Sequence, residues 1–205
     1  MHADATRFWL VRHGQIEANL TAHWHGSTDS PLTAEGRRQV DRVANWFAQA
    51  EHPITAVYSS PLTRTRDTAQ GIANALGHSV NPLPELREYC LGEWEGVHYK
   101  ELTEERRFLD RLREDTHWAP PGGESMQAVL ERMLQGFHAT ATRHPGEEVL
   151  MVSHGAAMGV LLAHLLEADA LGWHSYHLKN CSVSEFWLHP EPGLGLFNQV
   201  DHLHE

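Results

Sequence analysis

The sequence predicts an α/β fold, a three-layer sandwich with a mostly parallel central sheet flanked by helices on both faces. Three observations carry this. Two short runs, Phe8-Trp9-Leu10-Val11 and Val149-Leu150-Met151-Val152, are apolar without helical spacing, as strands buried on both faces are. Each ends in a polar break followed by His-Gly: Arg12-His13-Gly14 and Ser153-His154-Gly155. Amphipathic helical stretches follow the strands, as in α/β proteins. In open α/β sheets ligands bind beyond the carboxyl ends of the strands, where both breaks fall.

In chain order, Gln15 to Pro31 reads as a loop, with Gly26, Asp29, Ser30 and Pro31 as turn residues. Thr33 caps a helix to about Gln49, with Val40, Val43, Ala44 and Phe47 on one face. Ile54 to Tyr58 is a strand. Ser60-Pro61 then reads as an N-cap and N1 proline opening a helix through Leu76, with Gly77 as its stop. Residues 78–97 are mostly loop around one short strand. Glu101 to Asp115 reads as an exposed, charged helix, and Trp118-Ala-Pro-Pro-Gly-Gly as a rigid linker. From Glu124 to about Thr142 runs the strongest helix, with Met126, Val129, Leu130, Met133, Leu134 and Phe137 as its stripe. After Gly155 an apolar helix extends to about Leu166. Val183 to Leu188 and Leu194 to Val200 read as closing strands. With no internal repeat, low-complexity tract or domain linker, residues 1–205 read as one domain.

Composition narrows the function. A net charge of −11 argues against nucleic-acid and anionic-membrane partners, so any anion must be held by a few local cations. No segment approaches the roughly 18 consecutive apolar residues of a membrane span. The polar start Met1-His2-Ala3-Asp4 leaves no room for a signal peptide, and Cys90 and Cys181 form no disulfide framework. A cytoplasmic protein follows as the expectation. The seventeen histidines are scattered. The pairs His23/His25, His174/His177 and His202/His204 lack carboxylate or thiol partners at ligand spacing, so no metal site is expected.

Two strand-end histidines, with Arg12 beside one, can surround a tetrahedral dianion, since arginine offers a fixed fork to its oxygens. Arg64 stands in the first turn of a helix, where a cation opposes the dipole unless an anion is shared. The motifs run in one order along nearly the whole chain. They are L-V-R-H-G-x-x-x-x-N (Leu10 to Asn19), D-S-P-L-T-x-x-G (Asp29 to Gly36) and S-S-P-L-x-R-x-x-x-T-A (Ser59 to Ala69). L-R-E-x-x-x-G-x-W-E-G (Leu86 to Gly96), P-x-G-E-S-M (Pro121 to Met126), V-S-H-G (Val152 to Gly155) and N-C-S-V-S (Asn180 to Ser184) follow.

In this set the chain resembles the histidine phosphatase superfamily, the phosphoglycerate-mutase-like enzymes. The P-x-G-E-S-M-Q and L-x-N-C-S-x-S segments look most like bacterial phosphatases named as a second phosphoglycerate mutase. The resemblance implies that His13 is the nucleophile that becomes phosphorylated. It implies that Arg12, Arg64 and His154 hold the phosphoryl group, and that Glu88 is the general acid and base. Asn19, Gly26 and Gly155 complete the implied substrate-binding set, with no metal and no cofactor. Glu85 and Glu95 lack the family's spacing to Gly92. The implied reaction is hydrolysis of a small phosphomonoester through phosphohistidine. Alternatives are a cofactor-dependent mutase and a non-catalytic phospho-ligand module. Family mutases carry basic residues after the acid loop; here that region is short and acidic, with Lys100, Arg106 and Arg107 its only cations. The aromatics Trp24, Trp94, Tyr99 and Trp118 belong either to the entrance or to the core. The substrate and the oligomeric state are not readable from the sequence.

Overall fold

The first apolar run forms β1 (Arg7–Arg12) in the computed structural model, which describes residues 5–50 and 52–204. The start Met1-His2-Ala3-Asp4 lies outside the described residues. Pleating sends Phe8 and Leu10 to one face and Trp9 and Val11 to the other, and all four are buried. The expected loop after β1 contains one helical turn, α1 (Glu17–Leu20), started by Asn19, whose Oδ1 accepts from Ile16 N at 3.1 Å. The helix α2 (Ala34–Gln49) begins where expected, with Thr33 Oγ1 accepting from Gly36 N at 2.9 Å. It is followed by β2 (Ile54–Ser59).

The next helix, α3 (Thr63–Leu76), starts later than the Ser60-Pro61 signal suggests. Ser60 does not cap it, because its Oγ lies 2.9 Å from His154 Nε2. The cap comes from Asp29, whose carboxylate accepts from Thr63 N at 2.8 Å and Thr63 Oγ1 at 2.6 Å. Gly77 ends the helix at φ 74°. The short strand β3 (Val80–Pro82) follows.

The single charged helix expected over 101–115 is two pieces: a π-helical turn at Glu101–Glu105 and α4 (Phe108–Glu114). Arg107, at φ 51°, breaks them apart. The segment is not merely exposed, since Leu102, Phe108 and Leu112 are buried. The stripe helix is α5 (Met126–Arg143), capped by Ser125 Oγ from Ala128 N at 3.1 Å. Then come β4 (Glu148–Ser153), α6 (Gly155–Glu167) and a 3-10 segment, Ala170–Tyr176.

The chain closes with β5 (Val183–Trp187) and β6 (Gly193–Leu194). The expected strand to Val200 shrinks to those two residues and an isolated Val183–Gln199 bridge. Asn198, at φ 55°, turns the chain, its side chain bonded to Lys179 N and His177 O.

The six-stranded sheet has the order β3-β2-β4-β1-β5-β6. Strands β3, β2, β4 and β1 are mutually parallel, and β5 and β6 are antiparallel additions. One face packs α2 and α3 through Trp9, Val11, Val57, Leu150 and Val152. The other packs α5 and α6 through Phe8, Leu10, Tyr58, Met151 and Phe186. This is the three-layer sandwich. Among the described residues no single helix is long and apolar enough to cross a membrane; the apolar α6 is buried within its layer.

Phe137 of α5 meets Phe8 of β1 at a ring distance of 5.0 Å and Phe186 of β5 at 6.2 Å. Phe137→Ala is expected to cost about 3–5 kcal/mol, measured as a lowered denaturant midpoint at constant slope.

Candidate active site

Strands β1 and β4 pair in parallel with Arg12 opposite Ser153, so the next residues, His13 and His154, leave the sheet side by side. His13 N continues the ladder by donating to Ser153 O at 3.1 Å, and the two imidazole centres stand 5.3 Å apart. Both rings are buried.

The protonation of each ring follows from its partners. His13 Nδ1 lies 2.8 Å from Gly14 O. A carbonyl only accepts, so Nδ1 carries the proton and, in the neutral ring, Nε2 holds the lone pair. Burial, then Arg12 and Arg64, hold the His13 pKa well below 6.5, outweighing the Gly14 bond. His154 Nδ1 accepts from Arg64 Nε at 3.3 Å, so its proton sits on Nε2, toward Ser60 Oγ. Burial, then Arg64, His13, Arg12 and Arg132, keep His154 neutral as well.

Arg64 is fully buried on the first turn of α3. Its charge is met by backbone carbonyls: Nη1 donates to Thr28 O at 2.8 Å, and Nη2 to His25 O at 2.9 Å and Gly26 O at 2.8 Å. The loop that supplies them is tied down by Glu95. Its carboxylate accepts from Gly26 N, Ser27 N, Thr28 N, Thr28 Oγ1 and Leu91 N, at 2.8–3.1 Å. Gly26 packs so closely that a Cβ there would clash with the Tyr89 carbonyl oxygen. The guanidinium of Arg12 lies against Gly155, with Nη1 bonded to Leu178 O at 2.6 Å and Nε making no hydrogen bond.

Glu88 reaches the N-terminus of α6. Its Oε1 accepts from Ala157 N at 2.8 Å and Tyr89 N at 2.9 Å, and Oε2 from Ala156 N at 3.2 Å. Its loop is clamped from outside by Arg132 of α5, which donates to Glu85 O, Arg87 O and Glu88 O at 2.6–3.0 Å. Glu124 holds that guanidinium through both carboxylate oxygens, at 2.8 and 2.9 Å, and also accepts from Cys90 N. Arg132 keeps the Glu124 carboxyl below its ordinary range despite burial, the largest opposing influence.

Some of these groups face a cavity of about 580 Å³. Of the residues singled out from the sequence, His13, Arg12, Glu88, Asn19 and Gly155 line it. His154, Arg64 and Gly26 stand behind that wall, where Arg64 and Gly26 bind each other and His154 binds Arg64. Trp24 and Tyr99 line the cavity, whereas Trp94 and Trp118 pack on each other beneath Arg106 and Arg111. Asn180, which carried no role in the sequence reading, lines it too, with Nδ2 bonded to His13 O and Asn19 Oδ1. Its place within N-C-S-V-S was the available signal. Glu95 and Glu124 likewise stand in the W-E-G and P-x-G-E-S-M segments, but Arg132 lies in no such motif, and the partners of Glu95 and Arg132 are mostly backbone atoms far along the chain.

A parallel sheet that presents two neutral imidazoles, flanked by buried guanidiniums, is built to handle an anion such as a phosphoryl group. The family model of the histidine phosphatase superfamily (branch 1) matches residues 8–194, and the chain belongs to that superfamily. It is 38% identical over 190 residues to a Cronobacter sakazakii protein named "probable phosphoglycerate mutase GpmB", covering 91% of this chain and 86% of that one. Among solved structures, the phosphoserine phosphatase of Entamoeba histolytica in complex with 3-phosphoglyceric acid superposes with a TM-score of 0.85. The identity is 31%, with 97% of this chain and 99% of that one covered. A mycobacterial glucosyl-3-phosphoglycerate phosphatase gives a TM-score of 0.82 at 28% identity, covering 95% and 99%. The chain is an enzyme of this superfamily, similar to both phosphatases and mutases.

The lowered histidine pKa values have a consequence for stability. Unfolding returns His13 and His154 to ordinary values near 6.5, so below that pH the unfolded chain binds protons that the folded one refuses. Their contribution is full above about pH 6.5 and is lost as pH falls toward the folded values. The denaturant midpoint is therefore expected to drop between pH 7 and pH 5, and less steeply in His13→Gln than in the parent chain.

Proposed function

We propose that the protein is a phosphatase of small phosphomonoesters acting through a phosphohistidine on His13. The observation that carries this is the neutral His13 ring, its Nδ1 proton committed to Gly14 O, in one cavity with the Glu88 carboxylate. In the first step Nε2 attacks phosphorus, the ester P–O bond breaks, and protonated Glu88 gives its proton to the leaving oxygen. In the second step water attacks the phosphohistidine and passes a proton to the Glu88 carboxylate. The P–N bond breaks, restoring the Nε2 lone pair and releasing orthophosphate. Arg12, in the cavity wall, meets the equatorial oxygens, with Arg64 and His154 acting from behind it. Asn19, Gly155 and Gly26 serve the binding site as wall and backing.

The phosphatase names of the two solved relatives support hydrolysis. The mutase alternative has the curated relatives' name in its favour. Against it, the cations after the acid loop are engaged elsewhere. Lys100 pairs with Glu104, Arg106 with Glu101, and Arg107 with Asp110 and Glu114; none lines the cavity. The reading includes a cytoplasmic setting, in keeping with two free cysteines, Cys90 and Cys181.

The test is orthophosphate release from a panel of phosphomonoesters in EDTA, with His13→Ala as control. Parallel samples of 3-phosphoglycerate with 2,3-bisphosphoglycerate are analysed for 2-phosphoglycerate. Metal-independent release that vanishes in the variant is expected. Isomerisation without release would replace this reading with the mutase, and neither activity would favour a binding module.

The acid role has its own signature. Arg132→Gln, which frees the Glu88 loop, is expected to slow an alkyl phosphate on the order of tenfold or more, within the roughly 10²–10⁴-fold a positioned acid contributes. Hydrolysis of p-nitrophenyl phosphate, whose phenolate leaves without a proton, should fall much less. Equal losses on both esters would show that Arg132 supports only the fold.

A further inference from the structure

Two of the three close histidine pairs in the sequence converge on the cavity. His23 and His25 arrive from the loop after α1, and His174 and His177 from the segment before β5; all four line the wall, together with Lys179. Glu88, already bound to the α6 N-terminus, is the one carboxylate among the described lining residues. At about 580 Å³ the cavity lies in the roughly 300–1,000 Å³ range of small-molecule sites, well beyond what a phosphoryl group alone fills.

The aromatic wall offers little to a stacking group. Trp24 is stacked on Tyr99 and meets Tyr89, Phe108 and Trp173 edge-on, and its indole N–H is bonded to Tyr89 O. Trp173 is buried, with the His174 ring 3.8 Å away. What the mouth leaves available is polar: the Lys179 ammonium and exposed imidazoles at His23, His174 and His177.

We propose that His23, His174, His177 and Lys179 form a subsite for a second anionic group, so the preferred substrates are phosphomonoesters of carboxylic acids rather than of neutral polyols. This rests on the phosphatase reading and adds the substrate class. It also moves the second-anion contacts from the segment after the acid loop to the segment preceding β5. Lys179 supplies the fixed charge. Burial, followed by Arg113 for His174 and by Arg12 for His177, holds those two imidazoles below 6.5, so near pH 7 they serve as N–H donors to carboxylate oxygens.

The test compares 3-phosphoglycerate with glycerol 3-phosphate, which carries a hydroxymethyl group in place of the carboxylate. The kcat/KM ratio in favour of 3-phosphoglycerate is expected to be tenfold or more at pH 7. In the double variant Lys179→Met/His177→Gln it should fall at least fivefold, through KM for the carboxylate ester. Binding of the same two compounds to His13→Ala is measured by calorimetry, so that selectivity is read without turnover. Turnover with a ratio near one, or a ratio unmoved by the double variant, would overturn this inference and leave the phosphatase reading intact. Selective binding, lost in the double variant, with no turnover by the parent chain would uphold the subsite and overturn the phosphatase reading. Absence of both selective binding and turnover would overturn both.

Discussion

Arg12 lies opposite Ser153 in the pairing of β1 with β4, and the geometry of the site descends from that register. Parallel strands in the middle of the sheet end on the same edge, so two His-Gly breaks 141 positions apart become neighbouring imidazoles. A slip of one residue would turn Phe8 and Leu10 toward α2 and α3, and Trp9 toward α5 and α6. Because every residue from Phe8 to Val11 is buried, both cores resist that slip, and the sheet's packing thereby fixes where the two imidazoles stand.

The next constraint is the burial of charge. An unpaired guanidinium inside a protein is costly, and Arg64 is fully buried. Its partners are carbonyls at 25, 26 and 28, which neutralise nothing but satisfy its N–H groups. The positive charge therefore persists beside His13 and His154; burial first, and then this charge and that of Arg12, keep both rings neutral. For the loop to hold those carbonyls in place, its own N–H groups need an acceptor, which is the Glu95 carboxylate. Thus Glu95, which does not line the cavity, holds the loop whose carbonyls satisfy Arg64 beside those rings.

The acidic surface and the basic cavity are reconciled by pairing. At −11 the chain repels anions at a distance, yet acidic groups near the site are already engaged. Glu88 holds the α6 N-terminus, Glu95 holds the 26–28 loop, and Glu124 holds Arg132. The cavity is left with Arg12, Lys179 and five imidazoles against one carboxylate.

The sequence by itself determined the central strands, most of the helices and which polar side chains follow the two buried strands. Buried strands and amphipathic helices are local patterns, and His13, Arg12 and Glu88 sit in short motifs that keep their spacing along the chain. Where a boundary depended on a distant partner the local pattern failed: Ser60 is taken by His154, so Asp29 caps α3, and Asn198 turns a chain that reads as a strand. Arg64 looked like a ligand for phosphate because its helical position is anomalous, but only the tertiary structure shows carbonyls filling its fork. Only the tertiary structure, likewise, gathers His23, His25, His174 and His177 around one cavity. Sequence carries what neighbours along the chain dictate to each other. The placement of charge inside the molecule, and what is left to face a ligand, depend on contacts between residues that folding alone brings together.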